Sequence, residues 1–346
     1  MAGIAGAITQ WREHEEEFVK AVMTSDRTIG TSGGKEIRFE DAAAIYGGVD
    51  TWFVNNLAHT KAQAITHRWR DVQIRAGSTN LGATEAGTPT ERQQTPVTRT
   101  NTTQIFSGRV KISLSAAQEA ANGIYGGDQL DELAFQVNLE MRGILKDIEQ
   151  QVLWGTEATE ANDNRRFKGL IGDVGTYNGL IQATRIDTNT THGTTTLRKG
   201  IIDQWLATIY EQDTGFFPDT IVCDSRAALK FAGFTNNAQF VYGIEDIIRL
   251  QQAGFPVGTP AIPYLSPFGP LTIVIHPLIA TSGTLANNYM LAIRKEFVKL
   301  ADFRVLNVRE VAQSGSWVAR DIETELTLET KVQQCMGILY DFDPNL

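Results

Sequence analysis

The strongest pattern along the chain is a run of apolar positions in steps of three and four between Gly127 and Gly155. Leu130, Leu133, Ala134, Val137, Met141, Ile144, Leu145, Ile148 and Val152 form one stripe, which predicts an amphipathic helix over 128–154. Asp128 is placed to cap its start, Asp131 and Glu132 suit the positive end of its dipole, and Gly155 is placed to end it in the left-handed region. About 27 residues at 1.5 Å each make a rod of roughly 40 Å, more than twice the usual globular length. Gly143, near the middle, marks a bend or a close contact. Shorter helical patterns fall at 10–23 (Trp11, Phe18 and Val22 with acids opposite), at 41–70, at 244–252, and at Ile201, Ile202, Trp205, Leu206, Ile209 and Tyr210.

Elsewhere the period is two. Val110, Ile112 and Leu114 alternate with polar residues, as a strand with one buried face does. "PDTIVCDSRAALKFAGF" reads as strand, Asp/Ser cap and short helix, and "PLTIVIHPLI" as a buried strand. Residues 197–292 therefore read as a compact α/β region of its own. Beyond it, "YMLAIRKEFVKLADFRVLNVREV" and "WVARDIETELTLETKVQQCMGILYDF" are long and β-rich, separated by the turn "AQSGS". Ile322, Thr324, Leu326, Leu328, Thr330 and Val332 share one face of the second; Glu323, Glu325, Glu329 and Lys331 share the other. That strand is about twice the ~5–6 residues of an average one. Its charged face is expected to meet solvent or another subunit. The fold class is α+β.

One stretch has little to bury. In "TEAGTPTERQQTPVTRTNTTQIF", Val97 is the only large apolar residue between Thr84 and Ile105, yet Thr98, Thr100 and Thr102 keep a strand's alternation. Ordering ~30 residues costs roughly 30–60 kcal/mol, which an isolated hairpin with a few small apolar side chains does not offset. Such an arm is either disordered or ordered by another chain, and the alternation favours the second.

Composition narrows the functions. The 346 residues are 42% hydrophobic, enough for a real core, and carry 31 basic against 40 acidic residues, a net −9 without any Lys/Arg-rich run. That balance argues against a direct reader of DNA or RNA, whose affinity comes from neutralising phosphates. No apolar run reaches the ~18 residues of a membrane span, and "MAGIAGAITQWREHEEEF" lacks the basic start of a secretory signal. The sequons at Asn101 and Asn189 then have no glycosylation machinery to meet, and Cys223 and Cys335, in apolar strand-like contexts, are expected to be buried thiols.

No constellation of residues makes an enzyme. "GTSGGKE" around Lys35 has glycines but Glu36 where a phosphate-binding loop needs a hydroxyl. His14, His59, His67, His192 and His276 are scattered without metal-ligand spacing, and His276 reads as a packed or capping residue. Glu323 and Glu325 share a strand face but belong to a charged row, and Asp341 and Asp343 lack further oxygen ligands nearby. No catalytic, cofactor-binding or metal-binding residue is assigned, and no cofactor.

The order of parts resembles tailed-bacteriophage major capsid proteins with the Johnson fold. The motifs that carry the resemblance are "WRD" at 69–71, "ATEAG" at 83–87, "NTTQIF" at 101–106, "VKIS" at 110–113, "DELAFQ" at 131–136, "DIEQQVLWG" at 147–155, "RRFKGLIG" at 165–172 and "ETELTLE" at 323–329. Together they span about 60–346. The resemblance implies an N-terminal arm over 1–55, an extended hairpin loop over 73–113, and a peripheral domain over 56–72 and 114–196 that includes the spine helix 128–154. It further implies an axial domain over 197–295, with peripheral strands and the C-terminus over 296–346. By the same resemblance, copies assemble in the host cytoplasm into hexamers and pentamers, the icosahedral shell of a virion around packaged double-stranded DNA held non-specifically. Portal and scaffolding proteins, and a cementing protein, are the partners implied; no membrane or small-molecule substrate is. Some relatives weld their shells through a hairpin-loop lysine, but no lysine lies between Lys61 and Lys111 here, so a noncovalent shell is expected. The alternatives are an encapsulin-type nanocompartment shell on the same fold, a soluble α+β hydrolase using Glu323 and Glu325, and a phage tail or decoration protein.

Overall fold

The computed structural model of the chain describes residues 28–29, 37–38, 51–74, 87, 94–115, 132–158, 164–173, 178–182, 184–193, 196–212, 214–234, 261–279, 288–312 and 315–342. The helical patterns at 10–23 and 244–252, and the start of the long helix with Asp128 and Asp131, lie outside them. Two short strands come first, β1 (Thr28–Ile29) and β2 (Ile37–Arg38), paired with each other. Then follow helix α1 (Trp52–Asn56), β3 (Ala58–Lys61), β4 (Thr66–Asp71), β5 (Val97–Thr102), β6 (Gln104–Ser113) and the long helix α2 (Glu132–Trp154). The next stretch holds β7 (Arg185–Asp187), α3 (Thr188–His192), α4 (Lys199–Tyr210), β8 (Thr220–Cys223) and α5 (Ser225–Phe234). Strands β9 (Ala261–Ser266), β10 (Gly269–Ile275), β11 (Asn288–Ile293), β12 (Val298–Glu310), β13 (Trp317–Thr330) and β14 (Gly337–Phe342) complete the order.

A four-stranded sheet runs β3-β12-β13-β6. The 14-residue β13 is antiparallel to β12 on one side and to β6 on the other, while β3 adds a parallel edge along Lys299–Asp302 only. Helix α2 packs on β6 and β13. Its buried residues Val137, Met141, Ile144, Ile148, Val152 and Leu153 join Phe106, Val110, Ile322 and Leu326 in one apolar cluster. Each aliphatic side chain so buried contributes about 1.5–3 kcal/mol, so the stripe holds the helix far more than propensity does. Gly143 is exposed, and a Cβ there would meet nothing within 4 Å, so it marks no close contact.

The helix ends differently from the sequence expectation. Gly155 does not adopt a left-handed backbone. A Cβ on it would lie 2.5 Å from the Gln151 carbonyl and 2.7 Å from that of Phe167, so glycine is needed there for close approach. The segment 164–171 tucks under the helix end by backbone bonds from Gly169, Leu170 and Ile171 to Gly155, Val152 and Leu153. Phe167, Leu170 and Ile171 are fully buried, so this loop belongs to the core.

A six-stranded sheet runs β7-β14-β11-β8-β10-β9. Helices α4 and α5 cover one face, where Ile201, Trp205 and Phe231 meet Ile221, Ile273 and Leu339. Asp224 caps α5 by accepting from the Ala227 amide at 2.8 Å, as the Asp/Ser cap predicts. The 197–292 stretch does not close this sheet alone. Strand β14 sits inside it, between β7 and β11, so residues 185–187 and 337–342 are required. The two long β-rich stretches therefore split: β12 and β13 serve the four-stranded sheet, β11 and β14 the six-stranded one. Residues 41–70 are also corrected. Residues 41–50 lie outside the described residues; among the described ones only Trp52–Asn56 is helical, while Ala58–Lys61 and Thr66–Asp71 are strands, and the latter alternates exposed and buried positions. Burial of His67 and Trp69 against β13 overrides any helical propensity.

Candidate functional site

The features that bear on function gather where a two-stranded ribbon leaves the body. Strands β4 and β5 pair antiparallel from Thr66↔Thr102 to Asp71↔Val97, as the threonine alternation predicts. A lone two-stranded ribbon is marginal in water, so its anchorage decides whether it stands. Trp69 Nε1 donates to the Thr330 carbonyl at 2.7 Å. Asn101, fully buried, donates to the Leu328 and Lys168 carbonyls at 2.8 and 3.0 Å and accepts from the Lys168 amide at 2.8 Å. Arg99 bridges Asp71 at 2.8 Å and Gln333 at 2.6 Å.

Two histidines tie the same region to the long strands. His67 Nε2 lies 2.6 Å from Glu329 Oε2, and His59 Nδ1 lies 2.9 Å from Asp302 Oδ2. The hydrogen bond it donates to Asp302 raises the His59 pKa against the opposing effect of burial. The bond from His67, helped by Lys331, lowers that of Glu329. His276 is fully buried, accepts from the Leu278 amide at 3.3 Å and packs on Phe53. It is the packed residue the sequence suggests.

The charged face of β13, expected to meet solvent or another subunit, meets arginines of the same chain. Glu325 is 2% exposed and accepts from Thr103 at 2.6 Å, Arg304 at 2.8 Å and Arg165 at 3.1 Å. Glu323 meets Arg304 at 3.2 Å and Arg309 at 2.5 Å. Asp321 accepts from Nε and Nη2 of Arg109, at 2.5 and 2.8 Å. A carboxylate row on the central strand is thus flanked by arginines of β12, β6 and the 164–171 loop, all from one chain. Cross-strand opposite charges stabilise a sheet, and buried carboxylates need such partners. The arrangement is a structural ladder: Glu323 and Glu325 are held by arginines.

The remaining candidates are equally structural. Buried Glu149, in "DIEQQVLWG", accepts from the Phe53 and Val54 amides at 2.7 and 3.4 Å and so holds the start of α1. Cys223 and Cys335 are free, buried thiols; burial pushes both up, Cys335 to about 12. Burial, with Asp187 beside it, raises the Asp341 carboxyl; Asp343 lies outside the described residues. Among the described residues no group of three His, Cys, Asp or Glu is arranged to hold a metal. No local motif could have revealed the His67–Glu329 pair or the Thr103 and Arg165 contacts of Glu325, because those partners lie 160 to 262 residues apart.

Solved structures share this architecture. The capsid of Myoviridae phage XM1 aligns at TM-score 0.57 and 12% identity, over 90% of this chain and 100% of that one. The capsid of a native GTA particle aligns at 0.58 and 10%, over 91% and 95%. The SrpI encapsulin of Synechococcus elongatus PCC 7942 aligns at 0.53 and 10%, over 95% and 96%. The fold is therefore that of shell-forming subunits, phage capsids and encapsulins alike. A family model described as SU10 major capsid protein matches residues 22–343, and the chain belongs to that family. No curated protein sequence matches it. Membership makes it a structural shell subunit of the virion that associates with copies of itself, not an enzyme. The family match also begins well before residue 60, where the sequence resemblance starts.

Proposed function

We propose that copies of this chain form the hexamers and pentamers of an icosahedral phage head around packaged double-stranded DNA. The observation that carries this reading is the ribbon: its root is fastened by side chains to β13, while residues 66–102 supply little apolar surface of their own. An element built this way gains its remaining contacts from another copy. The domain division is proposed on the same reading: 1–55 as N-terminal arm, 73–113 as extended hairpin loop, 56–72 and 114–196 as peripheral domain, 197–295 as axial domain and 296–346 as peripheral strands, with β7 and β14 lent from the peripheral stretches to the axial sheet. Portal and scaffolding proteins, with a cementing protein, are the partners this reading implies, and DNA is held without sequence-specific contacts, in keeping with a net charge of −9.

Deletion of Arg75–Gln93, which spares the buried Asn101, tests the reading. The variant should melt cooperatively like the parent and fail to form closed shells in negative-stain micrographs. Shells of normal size and yield from it would sink the role given to the arm. Nucleic acid inside wild-type particles, rather than a protein cargo, separates a phage head from an encapsulin-type compartment.

A further inference from the structure

Residues 169–171 and 179–181 run side by side at the end of helix α2. Gly179, Leu180 and Ile181 donate to the carbonyls of Ile171, Gly169 and Leu170 at 3.0, 2.8 and 3.1 Å. Leu170, Ile171 and Ile181 are fully buried there. The approach is close enough to dictate the residue at 179. A Cβ on Gly179 would lie 2.4 Å from the Leu170 and Ile171 carbonyl oxygens, so no side chain is admitted. The residue before it is Asn178, which is exposed. Packing therefore forces an Asn-Gly step on the chain. Without a Cβ on the second residue, nothing hinders the asparagine carboxamide from reacting with the next backbone nitrogen.

In that reaction the Gly179 nitrogen attacks Asn178 Cγ. The N–Cγ bond forms, the Cγ–Nδ2 bond breaks, and Nδ2 leaves as ammonia with the proton shed by Gly179. Water then opens the cyclic imide at either carbonyl, giving Asp or isoaspartate; no oxidant or cofactor enters. The folded chain holds both reacting groups out of this path. Asn178 Oδ1 accepts from the Asp173 amide at 3.0 Å, and the Gly179 N–H is committed to the buried Ile171 carbonyl. Both groups also lie against Gly172, whose backbone is left-handed at φ 81°. A Cβ there would come within 2.5 Å of Asn178 Oδ1 and 2.3 Å of the Gly179 nitrogen. Turning the carboxamide onto the nitrogen would break the first bond. Freeing the nitrogen for attack would leave the Ile171 carbonyl buried without its donor.

We infer that Asn178 is a modification site gated by folding: it remains asparagine in the folded subunit and converts to Asp and isoaspartate in an unfolded one. The isoaspartate form routes the backbone through Cβ and lengthens it by about 1.5 Å. That shifts the amides of 179–181 off their carbonyls and blocks refolding. The Asp form keeps an acceptor for the Asp173 amide and refolds. A chain that stays unfolded is thus retired chemically, whether or not the folded one builds a shell.

Peptide mass spectrometry of the full chain, held at pH 8 and 37 °C with and without urea, tests it. The peptide containing Asn178 should convert at least tenfold faster in urea than in buffer. Equal rates overturn the proposal. A faster rate in buffer does so too, since the Asp173 amide would then be polarising the carboxamide for attack. The consequence is read by dilution from urea, with Asn122→Ala in every chain because Asn122–Gly123 is the other Asn-Gly step. Protein aged in urea should lose refolding yield in step with its isoaspartate content at 178, whereas Asn178→Ala aged alike should match its own fresh yield. An equal loss in both overturns the blocking role. Should Asn178→Ala refold poorly even when fresh, repair of the aged parent replaces it. An isoaspartyl methyltransferase with S-adenosylmethionine should then restore the yield to within about twofold of fresh protein, and a yield that stays low overturns the proposal.

Discussion

Glu325 shows how much of this subunit's charge is committed internally. Its carboxylate sits 2% exposed between Arg304, Arg165 and Thr103. Replacement by Gln leaves a guanidinium that is itself mostly buried without its counter-charge, which should cost about 3 kcal/mol. Glu296→Gln, at a carboxylate 67% exposed, should stay within about 0.5 kcal/mol; equal denaturant midpoints for the two variants would show the ladder to be dispensable. His59 and Glu329 give this region a pH window. His59 is raised above its ordinary 6.5, so its contribution is full below pH 6.5 and is lost as pH rises through the higher folded value. Glu329 is lowered from 4.5, so its contribution is full above pH 4.5 and is lost as pH falls through the lower folded value. Melting temperature should therefore decline as pH rises above 6.5, and His59→Gln should flatten that limb in a series from pH 5.5 to 8.5. These pairs were invisible in the sequence because a histidine and its carboxylate, 243 or 262 residues apart, carry no local signature.

Two glycines separate packing from propensity at the level of the elements. Gly143→Ala replaces an exposed helical glycine with open space around it, and calorimetry should show a gain of about 0.5–1 kcal/mol. Gly179→Ala should do the reverse. Its Cβ would come within 2.4 Å of the Leu170 and Ile171 carbonyl oxygens, backbone that cannot swing aside, and a loss of about 2–3 kcal/mol is expected. The long helix, β12, β13 and the α/β order from α4 to β10 were legible because each repeats its period long enough to be distinctive. Residues 58–71 were not. Four- and six-residue strands beside a single helical turn leave too few repeats, and only contact with β12 and β13 settles their form. Glu323 and Glu325 were assigned to the right strand face. What that face meets depends on the 164–171 loop and the start of β6, which no pattern along β13 encodes.

For the whole particle, the absence of lysine between Lys61 and Lys111 predicts a shell without covalent welds. Particles boiled in detergent without reductant should run as one band near 38.1 kDa, and a ladder of multimers would refute this. Arginine does not stand in, since its guanidinium remains protonated and a poor nucleophile. The threading of the two sheets has a consequence in time. Both inner strands β13 and β14 are made late, and each lies between partners made earlier: β6 and β7 wait for strands translated some two hundred residues and roughly one hundred and fifty residues afterwards. At ~5–20 residues per second that is a delay of order ten seconds or more on the ribosome. Throughout it the long helix lacks its sheet and the ribbon lacks its root. A growing chain is therefore unable to join a shell, and the only subunits offered to the lattice are ones already released and complete.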